Sequence, residues 1–466
     1  MKVNKDPEVL ESVLQDESGM KGRAAGLVRP ASAADVAELV AQCAADSTRL
    51  LPIGCQTATT GAAVPLDDLV VSLTGMTGVV DIDRDRKIAE VLPGTITWDL
   101  KQTVADEGLY YPPDPTSEKE CTIGGNVVCN ASGARSFRWG MTAPWVEGIE
   151  VVTGKGETHR FFRRSMDKNT AGYGPFHDPV SLFVGSEGTL GVVTRIWVRL
   201  IDDPGPFYAF VVFFDSLENA LQTAVGYRTA RLAPSPRCCE LFDGEALRIF
   251  STHPKAPAVP DTAGAALYLE FDANDRDLEQ IISQDLAPLS THGALVDDTM
   301  VGENLGEKAL IRELRHHIPE TCNSLAAQHH KTGGLKVSSE FCVPPDKILE
   351  MMAFVEKTAT EHGPDLLVRY GHIGNGHPHI FTRGKNAAEV ASLKQLAATW
   401  CKKAVSLGGT VSGEHGIGKT RTYLLPIQYP PQIIDAMKAV KRVFDPAGIF
   451  AVGNVFSGDV FSGDGP

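Results

Sequence analysis

Apolar runs and amphipathic stretches alternate along most of the chain, and one stretch breaks that alternation. Tyr111 to Gly140, YPPDPTSEKECTIGGNVVCNASGARSFRWG, combines prolines, small residues and the adjacent Gly124 and Gly125, with no apolar period suited to an amphipathic helix. It is expected to be a loop. Upstream, RPASAADVAELVAQCAAD sets Ser32 ahead of Val36, Leu39 and Val40, with Asp35 three residues after the serine, which predicts a capped amphipathic helix. LLPIGCQTATTGAAVP predicts a strand running into a loop, VVSL a strand, and VVDIDRDRKIAEVLPG a hairpin about the charged tip Asp83 to Lys87. A helix is expected over Thr95 to Glu107. Beyond the organising stretch, WVEGIEVVTGKGETHRF predicts a hairpin turning at Gly154 and Gly156, and SLFVGSEGTLGVVTRIWVRL a buried strand, a glycine turn and a second strand.

Asp202-Asp-Pro-Gly-Pro206 marks a boundary, giving domains over residues 20–202 and 206–456. After it, the strand candidates FYAFVVFF, AALYLEF, LKVSSEF and DLLVRYGHI alternate with helical stretches such as SLENALQTAVGYRTA and EVASLKQLAATWCKKAVSL. With no glycine phosphate loop among them, an antiparallel sheet with helices on one face is expected. The length of 466 residues fits about two to four domains. A formal charge of −14 argues against nucleic acid as a partner. No apolar run reaches the roughly 18 residues of a membrane span, and MKVNKDPEVLESVLQDE lacks a signal-peptide core, so a cytoplasmic protein is expected. Nine cysteines without CxxC spacing give no disulfide frame and no iron–sulfur site.

Glycines let backbone N–H groups approach a ligand, and successive N–H groups form a nest suited to an anion such as pyrophosphate. PPDPTS, CTIGGN and NASGARSFRWG, in that order, resemble the flavin loop of the FAD-linked oxidases related to vanillyl-alcohol oxidase. The likeness is to the branch of D-lactate dehydrogenases, D-2-hydroxyglutarate dehydrogenase and the large glycolate oxidase subunit, and it covers roughly residues 20 to 456. It implies an α+β fold: a two-part FAD-binding domain, then a substrate domain with an antiparallel sheet covered by helices. It also implies FAD contacts from Gly54, Gln56, Thr57, Thr60 and Gly61 in a first pyrophosphate loop. That loop departs from the family pattern at Cys55 and Gln56, and having no histidine it offers no histidyl attachment for the flavin. Pro115, Thr116, Gly124, Gly125, Asn130, Ser132, Gly133 and Ser136 would follow in the organising stretch, and Glu187, Gly188, Gly191 and Val192 in GSEGTLGV. The glycine spacing of GSEGTLG, with no helix after it, does not fit the dinucleotide fingerprint GxGxxG.

In GHIGNGHPHI, His372 and His379 flank a Gly-Asn-Gly turn that can aim both imidazoles at one point, and histidine is the commonest metal ligand. Gly413 to Thr420, within SGEHGIGKT, satisfies GxxxxGK[ST], the phosphate loop of a triphosphatase, but Pro426 soon interrupts and the remaining chain is too short for that fold. By resemblance to the family forms HxGDGNLH and SGEHGIG, His372, His379 and Glu414 hold one divalent ion, zinc or manganese rather than iron, and His415 is the general base. Asn375 and His377 replace the family's aspartate and asparagine. Two histidines and a carboxylate leave positions open on an ion for a 2-hydroxy acid. The same trio also describes a non-haem iron oxygenase, and the flavin loops separate the two.

Arg315 resembles the family position that grips the substrate carboxylate, and Lys336 is a weaker candidate of the same kind. The resemblance implies FAD-dependent oxidation of a D-2-hydroxy acid such as D-lactate or glycolate. Electrons would leave through a partner flavoprotein or iron–sulfur protein, a quinone or a cytochrome. A homodimer and a peripheral membrane association through that acceptor go with this expectation. The alternatives are an oxidase using oxygen, a non-catalytic flavin subunit of an electron-transfer complex, and the phosphate-loop ATPase.

Overall fold

The computed structural model describes residues 1–163 and 168–457. The chain divides into two compact units. Among the described residues the first comprises 1–133, 140–163, 168–203 and 414–457, and the second 134–139 and 204–413. The chain passes from one to the other at Asp203/Pro204, six residues of the organising stretch belong to the second unit, and the chain returns at Glu414.

In the first unit a parallel sheet is ordered Arg23–Val28, Leu66–Ser72, Leu50–Ile53. The helix Ala33–Asp46 begins where Ser32 Oγ accepts the Asp35 N–H, as its sequence predicts. Its Val36, Leu39, Val40 and Cys43 bury against Val28, Leu50, Leu69 and Val71. An antiparallel sheet follows, ordered Val79–Asp83, Ile88–Val91, Val192–Arg199, Val146–Val152, Thr158–Phe162, and both expected hairpins are in it. Two expectations fail here. The organising stretch is not wholly loop: Ile123–Cys129 is a helix whose N-cap Thr122 accepts the Gly125 N–H at 3.2 Å. Local capping and the burial of Ile123 and Val127 replace the missing amphipathic period. Likewise Val180–Phe183, expected as a strand, is one helical turn, because no neighbouring strand supplies a ladder there.

The second unit is built on a seven-stranded antiparallel sheet, ordered Met300–Gly302, Phe207–Phe214, Ala265–Asp272, Cys239–Asp243, Leu367–Gly371, His379–Asn386, Gly333–Ser339. Helices cover both faces rather than one. Phe210, Val212 and Phe214 pack with the helices Leu217–Arg228, Ile348–His362 and Ala387–Ser406. Their alternates Ala209, Val211 and Phe213 pack with Gly244–Phe250 and Leu305–Ala327. The continuous apolar run FYAFVVFF is the signal for this, since successive strand residues face opposite sides and here both sides are apolar. Each fully buried phenylalanine contributes roughly 1.5–3 kcal/mol relative to exposure.

Candidate active site

In the first unit the flavin-loop candidates converge. The segment from Cys55 to Gly61 follows the strand Leu50–Ile53, and among the described residues none of its backbone N–H groups donates to a protein acceptor. Within it the Thr59 hydroxyl is buried without a partner, as is the hydroxyl of Tyr111 at the head of the organising stretch. A ligand rich in acceptors suits these donors, because buried polar groups are normally satisfied. Neither Thr59 nor Tyr111 stood out in the sequence. A Cβ on Gly133 would lie 1.9 Å from Asp114 O, so the two limbs of the organising stretch meet backbone to backbone. The GSEGTLG turn is fastened to the helix Ile123–Cys129, with Gly185 N–H on Val127 O at 3.0 Å and Glu187 N–H on Val128 O at 2.8 Å.

Several expected flavin contacts have side chains bonded within the protein. The Gln56 amide donates to Val13 O, Gln15 O and Ala63 O. The Glu187 carboxylate accepts the N–H groups of Ile417 and Gly418, both at 2.7 Å. Ser136 belongs to the second unit, where its hydroxyl donates to Asn375 Oδ1 at 3.3 Å and its carbonyl accepts from Asn375 Nδ2 at 3.2 Å. Asn130 braces Ala143 N–H at 2.9 Å. The phosphate-loop alternative is overturned: the N–H groups of Lys419 and Thr420 both go to Thr60 O, and Lys419 Nζ donates to Asn454 Oδ1 at 2.7 Å. No helix begins there that could cradle a phosphate.

In the second unit, strand pairing sets Tyr370 opposite His379 and Leu241 opposite Gly371, so His372 leaves one strand beside the start of the next. The His372 and His379 ring centroids are 5.1 Å apart, and His377 lies 5.7 Å from the first and 4.9 Å from the second. Glu240 sits in the strand CELFD with its carboxylate on the face covered by the helix Leu305–Ala327. It accepts from His372 Nδ1 at 2.6 Å, and from Arg315 Nε and Nη2 at 2.9 and 2.6 Å. Burial would push the Glu240 carboxyl up, but the His372 and Arg315 charges overcome it and hold it at about 2. An ionised carboxylate only accepts, so His372 Nδ1 carries a proton, and in the neutral ring the lone pair is on Nε2. His377 Nδ1 donates to Phe341 O at 2.9 Å, with the same consequence for its own ring.

Arg315, expected on the substrate carboxylate, thus grips Glu240, while Lys336 Nζ donates to Asn323 Oδ1 at 3.1 Å. Glu240 escaped the sequence analysis, although a glutamate flanked by apolar residues in the short strand CELFD was a usable sign. Gly413 N–H donates to Glu340 O at 2.7 Å, and a Cβ on Gly413 would lie 2.3 Å from His377 Nδ1. Glu414 is the next residue along the chain.

The family model for FAD linked oxidases, C-terminal domain, matches residues 208–455, more than half of the chain. The chain belongs to the FAD-linked oxidase family. A second model, FAD binding domain, matches residues 24–161 of this FAD-linked oxidase and supports FAD as its cofactor. The oxidase is 30% identical over 442 residues to the glycolate oxidase subunit GlcD of Bacillus subtilis (strain 168), covering 93% of this chain and 89% of that one. It is 30% identical over 461 residues to a D-lactate dehydrogenase of Anaerostipes hadrus, covering 96% and 93%. The fold is shared with 4-ethylphenol oxidase from Gulosibacter chungangensis, at a TM-score of 0.69 and 15% identity over 97% and 94% of the two chains. It is an FAD-dependent oxidoreductase of the glycolate oxidase and D-lactate dehydrogenase branch. No helix among its described residues is long and apolar enough to cross a membrane.

Proposed function

We propose that this oxidoreductase oxidises a D-2-hydroxy acid, such as D-lactate or glycolate, to the 2-oxo acid with the help of one divalent ion. The observation that carries the metal is the buried Glu240–His372 pair. A carboxylate behind a histidine fixes the ring's tautomer and raises the basicity of the other nitrogen, which is how ligating histidines are held. His379 would be the second ligand and Glu414 the third, reached one residue after Gly413 beside the His377 ring. Bound there, the ion would supply Lewis acidity toward the substrate hydroxyl, and FAD would supply the hydride acceptor. The pyrophosphate of FAD would take the N–H groups of Cys55 to Gly61, with the Thr59 hydroxyl beside them. His415 takes the hydroxyl proton as general base. Arg315 acts here by fixing Glu240, and through it the His372 ring. The electron acceptor would be a quinone, a cytochrome or a partner redox protein.

The test is anaerobic mixing of the metal-replete protein with D and L forms of several 2-hydroxy acids while the flavin absorbance is followed. Bleaching by a D acid, lost on chelation and restored by zinc or manganese, is expected. A flavin that no 2-hydroxy acid reduces, or full reduction in protein shown to be metal-free, refutes the proposal.

A further inference from the structure

Glu187 is a buried carboxylate that makes no salt bridge among the described residues; burial pushes its carboxyl up, opposed by the N–H groups of Ile417 and Gly418 and by the charges of Lys419 and Arg421. Each of its oxygens instead accepts one backbone N–H, Oε1 from Ile417 and Oε2 from Gly418, both at 2.7 Å. Charge-assisted bonds of this kind are short and strong, and they are directed at the main chain of one segment. We infer that Glu187 is the positioning residue for the Glu414–His415 segment, a role that rests on the assignment of His415 as general base.

The surroundings are shaped for this contact. Gly416 has φ 77°, and a Cβ on it would lie 2.5 Å from Glu187 Oε1. Gly418 has φ 54°, and a Cβ on it would lie 2.3 Å from Thr60 O. The Gly-Ile-Gly spacing after His415 is therefore what lets the segment close on Glu187 and Thr60 together. Thr60 holds the same segment further along, since its carbonyl accepts from Lys419 and Thr420 N–H at 3.0 Å, and its hydroxyl donates to His415 O at 3.4 Å. Both anchors therefore grip the segment just after His415, and the Thr60 hydroxyl also reaches His415 itself.

Glu187 is itself held on both sides of its Cα. Its N–H donates to Val128 O at 2.8 Å and its carbonyl accepts from Asn454 Nδ2 at 3.0 Å. Its φ of 52° is uncommon for a residue other than glycine, and it aims the carboxylate at Ile417 rather than along the turn. Through Val128 the anchor continues into the helix Ile123–Cys129 of the flavin loop. One residue therefore ties the segment carrying the base to the segment that follows CTIGGN.

The test compares wild type with Glu187→Gln. A glutamine offers one acceptor oxygen and one donor, so at one of the two N–H groups donor would face donor. Bound FAD and flavin reduction by dithionite are measured alongside, so that loss of flavin is told apart from a slower reaction of bound flavin. Flavin reduction by the 2-hydroxy acid should slow about 10- to 100-fold with substrate affinity retained, the cost of a small misplacement of a reacting group. Fragment-resolved hydrogen exchange should show the Ile417 and Gly418 amides protected in wild type and faster in the variant. Gly416→Ala, whose methyl would displace the carboxylate, is the second variant and should show the same split. Wild-type reduction and exchange in a folded variant overturn the inference, as does a wild type whose two amides exchange freely, whatever the variants do. If no 2-hydroxy acid reduces the wild-type flavin, the proposed function has failed, and the exchange measurement still decides whether Glu187 holds the segment.

Discussion

Replacing Glu240 by glutamine removes the carboxylate that accepts from both His372 and Arg315 without changing the size of the side chain. A carboxyl held at about 2 rather than 4.5 favours the ionised form by ~3 kcal/mol, each pH unit being worth about 1.4 kcal/mol. Because the folded value is the depressed one, this stabilisation is present above pH 4.5 and is lost as the pH falls toward 2. In Glu240→Gln it is absent at every pH. The Arg315 guanidinium also loses its anion, and the His372 ring is no longer fixed with its lone pair on Nε2. Part of the ~3 kcal/mol should appear in metal affinity, where partners behind a ligating histidine are typically worth about 10- to 100-fold. The assay is competition for zinc against a chromogenic chelator at neutral pH, with FAD content measured alongside. FAD should stay, since the segments Cys55 to Gly61 and GSEGTLG lie in the other unit. Imidazole nitrogen resonances of the metal-free protein should also show loss of the Nδ1–H form at one histidine. A variant that binds zinc as tightly as wild type would falsify the view that Glu240 orients a ligand.

Three further outcomes are expected. His415→Asn should keep FAD and metal but reduce its flavin about 10²–10⁴-fold more slowly with a D-2-hydroxy acid, as for loss of a general base, and stopped-flow rates equal to wild type would reject that role. Burial pushes the Lys419 ammonium down to about 8, partly opposed by Asp68, Asp16 and Glu187, so the unfolded chain binds the extra proton between about pH 8 and 10.5 and stability should rise across that window by up to ~3 kcal/mol. Denaturant unfolding at a series of pH values checks this, and a slope that survives in Lys419→Met assigns it to another group. Gly133→Ala should cost about 1–3 kcal/mol by overpacking against Asp114 O and should release FAD at lower temperature; an unshifted flavin-release midpoint counts against the close approach.

The sequence by itself determined what depends on local chemistry. Ser32 and its apolar stripe specify a capped helix, the hairpins follow from turn residues and alternation, and the glycine-rich loops with paired histidines resemble one family closely enough to give the cofactor and fold class. Local chemistry also misled, because a helix as short as Ile123–Cys129 owes its existence to capping and burial rather than to period. Only the tertiary structure decided which polar groups meet. Glu240 and His372 are 132 positions apart, and Glu187 and Ile417 are 230 apart. Nothing in the spacing of residues along a chain encodes such pairs, since strand register and the close contact of glycine backbones bring them together. Arg315 illustrates the limit: its type fits a carboxylate, and the fold sets one from the protein's own strand against it, a partner that its place in the sequence does not name.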